Sequence, residues 1–328
     1  MMNNKNLYYT FHNGKNPKWR YYLSAYSWWA IPHCIHKMFF NNAMQALKHR
    51  DDLDYIKERV DYYNKLVGSD AFSAEAFREG SVMLRDQQIT GQKVYFLDAI
   101  RYAKAFAQSL RWILLPGDIT HIPSLPSITK SRPIAGDNAF SVIMKLDKVR
   151  HFIFTQDKLS FHDKKNMCIF RGGLNPRRLK FVEKYDNNPL FNVGATKGNS
   201  KWSVPKMTIP EHLQYKFIMS IEGNDVASNL KWIMSSNSIA VMAKPTYETW
   251  FMEGKLVANY HYIEVAPDFS DVEERIRYYM SHPDEAEKII RHAHEYVSQF
   301  RDKERENIIS YLVLEKYFKI TNHVPVFF

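Results

Sequence analysis

The run Met167-Cys168-Ile169-Phe170-Arg171-Gly172-Gly173-Leu174-Asn175-Pro176-Arg177-Arg178 decides how this chain is read. A short apolar segment stops at one arginine and two glycines, and two more arginines follow. That is the pattern of a strand running into a tight turn, where the missing Cβ lets backbone N–H groups come close to a ligand. Three guanidiniums around an open backbone suit a phosphate, since arginine offers planar, bidentate and permanently charged donors. The chain has only 12 glycines in 328 residues, about half the usual share of roughly 7%. Two of them side by side therefore stand out. Spacing alone leaves a plain strand–turn–helix junction with solvated arginines open beside the anion site.

Outward from that run, the second half alternates strand and helix signals. A strand is expected at 167–170, a helix from about Arg177, and then a loop holding Gly194, Gly198 and Pro205. A helix starts near Pro210, and Tyr215 to Ile221 either continues it or turns to strand. The phrase Glu222-Gly223-Asn224-Asp225-Val226-Ala227-Ser228-Asn229-Leu230-Lys231-Trp232 reads as a turn opening into a helix. Strands follow at Ser238 to Ala243 and His261 to Val265, and Ser270-x-x-Glu273 is a capping box. Further helices run from Ser281 and Pro283 to about Phe300 and from about Glu304 to Phe318. Strands alternating with helices give parallel sheets covered on both faces, so the class is α/β.

The first half is less regular. Asp51 to Leu66 carries Leu53, Ile56, Val60 and Tyr63 near helical spacing, and Ser73 to Leu84 reads as a second helix. Lys93 to Asp98 reads as a strand followed by helix. Leu110 to Leu115 is an apolar strand stopping at Pro116-Gly117, with Asp118 directly after it. Ile119 to Gly136 is proline-rich and reads as an extended loop, and short strands are expected at Ser141 to Leu146 and His151 to Thr155. A domain boundary is placed near 150–160, where Gln156 to Lys165 is polar.

Bulk properties narrow the function classes. The length allows about two domains, and 45% hydrophobic with 24% charged residues is an ordinary folded composition. Cys34 and Cys168 make neither a disulfide framework nor a metal site, which fits a reducing compartment. A net charge of +10 and a pI near 9.3 point to an anionic partner, without the block of like charge that a nucleic-acid arm shows. No apolar run approaches the ~18 residues needed to span a bilayer, and the N-terminus lacks a secretory h-region. A cytoplasmic protein is expected. Residues 1 to about 45 are rich in aromatics (Tyr21, Tyr22, Tyr26, Trp28, Trp29, Phe39, Phe40). The leading expectation is a first helix packed into its own core, with an interfacial cluster at lipid head groups as the rival.

Asp118 is the candidate general base, just beyond a strand, with His121 three residues on; an Asx turn or N-cap is its structural alternative. A second anion site is suggested at Gly223 to Asn229, where a helix start would present free N–H groups. Glu222 and Glu248 are acids beside loops, each also readable as a cap or ion-pair partner. No G-x-S-x-G, Walker A, G-x-G-x-x-G or H-E-x-x-H motif is present.

The order of short motifs resembles glycosyltransferase family 90, which includes lipopolysaccharide-modifying transferases and eukaryotic protein O-glucosyl- and xylosyltransferases. The pieces run from Leu115-Pro116-Gly117-Asp118 with Pro123, through Lys130-Ser131-Arg132 and Lys145 to Arg150-His151-Phe152, to Phe170-Arg171-Gly172. They continue with Tyr215-Lys216-Phe217 and Glu222-Gly223, Ala227-Ser228 to Lys231, Ser236 to Ser238, and His261-Tyr262-Ile263 with Asp268 to Asp271. The likeness spans roughly residues 85 to 300, nearest to the bacterial branch that adds a hexose to the lipopolysaccharide core.

The resemblance implies a GT-B fold, with two Rossmann-like domains facing a cleft and a C-terminal helix crossing back. On that pattern 1–155 is an acceptor-binding domain, 156–305 a nucleotide-sugar-binding domain, and 306–328 the returning helix. It further implies an inverting mechanism, a UDP-sugar donor (UDP-glucose or UDP-galactose), no metal and no other cofactor. A lipid-linked oligosaccharide would be the acceptor, with no nucleic acid; the basic surface and the aromatic N-terminus would then suit peripheral contact at the cytoplasmic face of the inner membrane. Asp118 matches the family's base, Arg171 a donor-phosphate contact, and Ser228 a residue of the donor-binding helix start. Gly172, Arg177, Arg178, Glu222, Gly223, Asn229, Lys231 and Glu248 complete the expected donor site, and His121, Lys130 and Arg132 the acceptor side. Eukaryotic relatives carry an arginine where this chain has Asn229, so Arg177, Arg178 or Lys231 supplies that charge or the donor contacts differ. The same fold using UDP-xylose, and a non-catalytic nucleic-acid or anionic-lipid binding protein, are the alternatives.

Overall fold

A computed structural model describes residues 9, 12–68, 71–89 and 91–323; positions 324–328 of the expected last segment lie outside the described residues. The chain divides into two compact units. A helical unit is assembled from Pro17–Val149, Thr246–Gly254 and Phe300–Phe328, and a sheet unit from Met1–Asn16, Arg150–Pro245 and Lys255–Gln299.

The helical unit opens with α1 (Lys18–Ala30), α2 (His33–Leu47), α3 (Leu53–Tyr63) and α4 (Ala74–Gly80). The short strand β1 (Val82–Met83) comes next, then α5 (Lys93–Ala103) and β2 (Arg111–Trp112). β3 (Ser127–Thr129), β4 (Ser131–Pro133) and β5 (Ser141–Ile143) follow. α3 buries Ile56, Arg59, Val60 and Tyr63 on one i, i+3, i+4, i+7 face; Leu53 of the expected row is exposed, and Arg59 joins the buried face instead. Against it packs the last helix of the chain, Lys303–Asn322, whose N-cap Asp302 accepts from the Arg305 N–H at 3.0 Å. A buried ionic hub ties them. Arg59 Nη1 donates to Glu306 Oε1 at 2.6 Å, while Glu306 Oε2 accepts from Lys145 Nζ at 2.8 Å and Trp250 Nε1 at 2.7 Å.

Three expectations are overturned, two of them in this unit. Lys93 to Asp98 is not a strand but the first part of α5, because nearly every residue from Tyr95 to Ala103 is buried and a helix apolar all round shows no 3.6-residue period. His151 to Thr155 forms no strand; Phe152 takes a φ of +56°, which leaves the extended region. The aromatic segment does not sink into a core of its own: α1 buries no residue, and α2 only His36 and Met44. The expected loop at 119–136 carries β3 and β4. β3 runs parallel to β5, and the 113–115 segment bridges β3 in parallel at Leu114 and Ile128.

In the sheet unit five parallel strands stand side by side. They are β6 (Lys165–Gly172), β7 (Phe191–Ala195), β8 (Tyr215–Met219), β9 (Ile239–Met242) and, after β10 (Tyr247–Thr249) of the helical unit, β11 (Ile263–Glu264). Their order is β11-β9-β8-β6-β7. β8 and β9 are buried along their whole length, as the continuous apolar runs of central parallel strands require. Cys168 and Phe170 of β6, with Phe217, Met219 and Val241, form one core face. Phe181, Val182 and Tyr185 of α6 (Pro176–Tyr185) cover it, as do residues of the helices Val272–Ser281 and Pro283–Ser298. α7 (Ile209–His212) and α8 (Leu230–Met234) are short.

β7 was expected as loop, and Gly194 explains why it hides. A Cβ there would sit 2.2 Å from Val204 Cγ2, so the glycine lets the 203–204 segment close onto the strand, with Val204 N–H donating to Ala195 at 2.9 Å. The predicted Ser270–Glu273 capping box is also absent. Asp271 is the N-cap but makes no capping bond, its Oδ1 accepting from the Ala266 N–H instead; Ser270 donates to Asp268, and Glu273 accepts from Arg277 and Asn188. Among the described residues no helix is long and apolar enough to cross a membrane.

Candidate active site

Two clusters carry the predicted site residues, one in each unit. In the sheet unit, β6 is the first strand in sequence; β7 lies on one side of it and β8 on the other. The chain therefore reverses direction across the sheet at β6, and the crevice beyond the carboxyl ends of β6 and β8 is the topological switch point where open α/β sheets bind ligands. The loops that leave these two strands are Gly172 to Asn175 and Ser220 to Asn229.

Side chains stitch the two loops together. Asn175 caps α6, its Oδ1 accepting from the Arg178 N–H at 2.8 Å, and its Nδ2 donates to the carbonyls of Glu222 and Gly223 at 3.3 and 3.1 Å. Arg178 donates to the Gly173 carbonyl at 3.1 Å and, through Nη2, to Ile221 at 2.8 Å. Arg177, nearly half exposed, pairs with Glu222 at 2.5 Å. Gly172 and Gly173 do not make a left-handed turn: Gly172 closes β6 opposite Ala195, and Gly173 faces the Lys197 side chain of the next loop.

Arg171 is held by its surroundings. It donates to the carbonyls of Phe170 and Asn192 at 2.9 and 2.7 Å and to the Asn192 side chain, while its Nε is buried with no hydrogen-bond partner. Burial pushes the Arg171 and Arg178 guanidiniums below their ordinary value, so positive charge here is under-solvated and favours an anion.

Ser228 is exposed at this rim, and Asn229 turns back to β8, donating to the Met219 carbonyl at 3.0 Å and accepting from Ser220 at 3.1 Å. The helix expected after Gly223 begins only at Leu230 and is five residues long, too short for a useful dipole. Lys231 is fully buried, so it does not replace the missing arginine at the surface.

In the helical unit, Asp118 and Lys130 lie just past the carboxyl ends of two parallel neighbours, the 113–115 segment and β3. Lys130 Nζ stands 2.5 Å from Asp118 Oδ1, to which Tyr95 Oη also donates at 3.2 Å; Lys130 is buried and Asp118 partly open. Gly117, at φ +110°, makes the turn that presents Asp118 and fits against the Gln92 side chain. His121 is exposed on the loop that follows.

Arg132 and Glu248, expected on the acceptor and donor sides, are instead each other's partner across β4 and β10. Arg132 Nε donates to Glu248 Oε1 at 2.7 Å and the other guanidinium nitrogens bond the carbonyls of Tyr62, Tyr63 and Ser141, while Tyr62 Oη donates to Glu248 Oε2. Both are buried, so their visible role is to hold the strands. Glu248 thus belongs to the helical unit, whereas the loops after β6 and β8 belong to the sheet unit.

Sequence reasoning missed Tyr95, Asn175, Asn192 and Lys197. Only Asn175 had a local signal, an Asn-Pro pair at a helix start.

A relative from Dichelobacter nodosus named O-glucosyltransferase LpsA is 40% identical over 271 residues, 81% of this chain and 83% of that protein. The family described as Glycosyl transferase family 90 matches residues 140–326.

The chain belongs to glycosyltransferase family 90.

Human Protein O-glucosyltransferase 3 is a distant likeness to this family-90 enzyme, 24% identical over 48% of the chain and a third of that protein. Membership sets aside the non-catalytic reading of the basic chain. The matched family region contains the whole β6–β8 loop cluster, whereas Asp118, Lys130 and Arg132 precede residue 140.

Proposed function

We propose that this family-90 enzyme is an inverting, metal-independent hexosyltransferase that moves a sugar from a UDP-sugar to a hydroxyl of a lipopolysaccharide core sugar. What supports the donor half is the stitched pair of loops at the β6–β8 switch point, which brings Arg177, Arg178 and the Gly172-Gly173 backbone together, with Arg171 held on β6 next to them in sequence. Fixed cations of this kind would stabilise a departing diphosphate, and losing one such preorganised donor costs roughly 10²–10³ in rate. Asp118 is the proposed base. It takes the proton from the acceptor hydroxyl as that oxygen attacks the anomeric carbon from the face opposite UDP, and the bond from that carbon to the diphosphate oxygen breaks.

Glucose is the better supported sugar, because a relative sharing 40% identity is named an O-glucosyltransferase; UDP-galactose and UDP-xylose are the competing donors. The proposal includes the GT-B arrangement that the resemblance implies, a cytoplasmic location and a lipid-linked acceptor. A thermal-shift panel of UDP, UDP-glucose, UDP-galactose, UDP-xylose and GDP-mannose tests it, because a bound ligand raises apparent stability. UDP and one UDP-sugar should raise the melting temperature and GDP-mannose should not. No response to any uridine nucleotide sinks the donor assignment.

A further inference from the structure

The aromatic helices at the start of the helical unit present their apolar side outward. Trp19, Leu23, Trp29, Ile35, Met38 and Phe39 are all exposed large hydrophobics, with Trp19 and Leu23 each at 64%; the remaining ones are scattered along the chain. All but Trp29, whose ring meets Phe96 edge-on, follow helical rows. Trp19, Leu23 and Ala30 (i, i+4, i+11) lie along one side of α1, and Ile35, Met38 and Phe39 (i, i+3, i+4) along one side of α2. Inward contacts come from other residues: Tyr21 Oη donates to the Val94 carbonyl at 3.2 Å, and Phe40 packs its ring on Phe106 and Tyr311. Trp28 meets the Phe39 ring at 4.7 Å and joins the two helices. An exposed apolar row of this extent marks an interaction surface.

Charge says what covers it. From Met1 to Arg50 the sequence contains no Asp or Glu, while Lys18, Arg20, Lys37 and Lys48 are exposed beside the apolar rows. Arg20 lies over the Trp19 ring, 5.2 Å from its centroid. Tryptophan and leucine flanked by cations, with no acid to repel an anionic surface, is the pattern of a helix lying in a bilayer interface. An acidic protein partner would be met by salt links around a polar patch, not by a row of bare Trp, Leu, Ile and Met. We propose that α1 and α2 form a docking surface that beds the enzyme on an anionic phospholipid bilayer. The proposal rests on the transferase reading only for its purpose, bringing the site to a lipid-linked acceptor.

Flotation of the full-length protein with phosphatidylcholine vesicles, with and without phosphatidylglycerol, tests this. The wild type should float with the phosphatidylglycerol vesicles at low ionic strength, lose much of that binding in high salt, and ignore pure phosphatidylcholine. Trp19→Ser with Leu23→Ser should abolish flotation, and Lys18→Gln with Arg20→Gln should weaken partitioning roughly 30-fold. All four positions are exposed, so melting temperature and the UDP-induced shift should be those of the wild type. Wild-type protein that stays with the soluble fraction overturns the proposal, as do variants that float equally well. A Trp19- and Leu23-dependent dimer in light scattering, without vesicle binding, would assign the surface to a second copy and overturn it too. Vesicle binding in a protein that ignores uridine nucleotides would leave this surface standing and remove the donor reading instead.

Discussion

Lys130 and Asp118 illustrate how single residues carry the proposed chemistry. A buried ammonium 2.5 Å from a partly open carboxylate fixes that carboxylate's position, with Tyr95 adding a second donor. Asp118→Asn keeps the shape and removes the base, so turnover should fall by roughly 10²–10⁴ while UDP still raises the melting temperature. Near-normal turnover in that variant would show that another group takes the proton. The arginines of the sheet unit separate by the same logic. Arg177 has Glu222 as its ion-pair partner and is largely open, so Arg177→Ala should weaken UDP binding about 10- to 100-fold and leave stability unchanged. Arg171 also closes the end of β6 onto Asn192, so Arg171→Ala should lose UDP affinity and lower the melting temperature together. Calorimetry with UDP beside a thermal melt distinguishes the two.

Secondary-structure elements were legible where one periodic signal dominated, and obscure where burial or backbone geometry erased it. β6, β9 and α3 announce themselves through apolar runs or a helical row, whereas the run that forms β8 left helix and strand both open. α5 does not, because it is buried on all sides, and β7 does not, because its glycine answers to Val204 across space. α1 and α2 read as core because aromatic content cannot say which way a ring points. The last helix, here α11 (Lys303–Asn322), carries a consequence that sequence does not reveal. Burial pushes the Glu315 carboxyl up to about 7, against the pull of Lys319 one turn on. A carboxyl with a raised folded-state value binds more protons folded than unfolded, so its contribution is whole below about 4.5 and is lost as pH climbs to about 7. Each pH unit in that window removes up to about 1.4 kcal/mol. Glu315→Gln should therefore be more stable than wild type at pH 8 and no more stable at pH 4.5, as read by denaturant unfolding at the two values.

At the scale of the whole molecule, the chain's two units are each assembled from separated segments. A polar stretch near 150–160 shows in the composition, but nothing local says that residues 246–254 and 300–328 join the helices of the first half. The pairings that do it are long-range: Arg132 with Glu248, and Arg59 with Glu306. Glu306 is the point where all three segments of the helical unit meet: Arg59 and Lys145 come from the first, Trp250 from the second, and Glu306 itself from the third. Burial would raise its carboxyl, yet Lys145 and Arg59 hold it below the ordinary glutamate value. Glu306→Ala strands two cations, one of them fully buried, and breaking such a pair costs about 3–5 kcal/mol. Urea unfolding followed by tryptophan emission should show that loss. Glu306→Gln should recover part of it, because an amide oxygen can still accept from Trp250 or Arg59. A midpoint unchanged in Glu306→Ala would mean that apolar packing alone joins the three segments, and that the ionic hub adds specificity without strength.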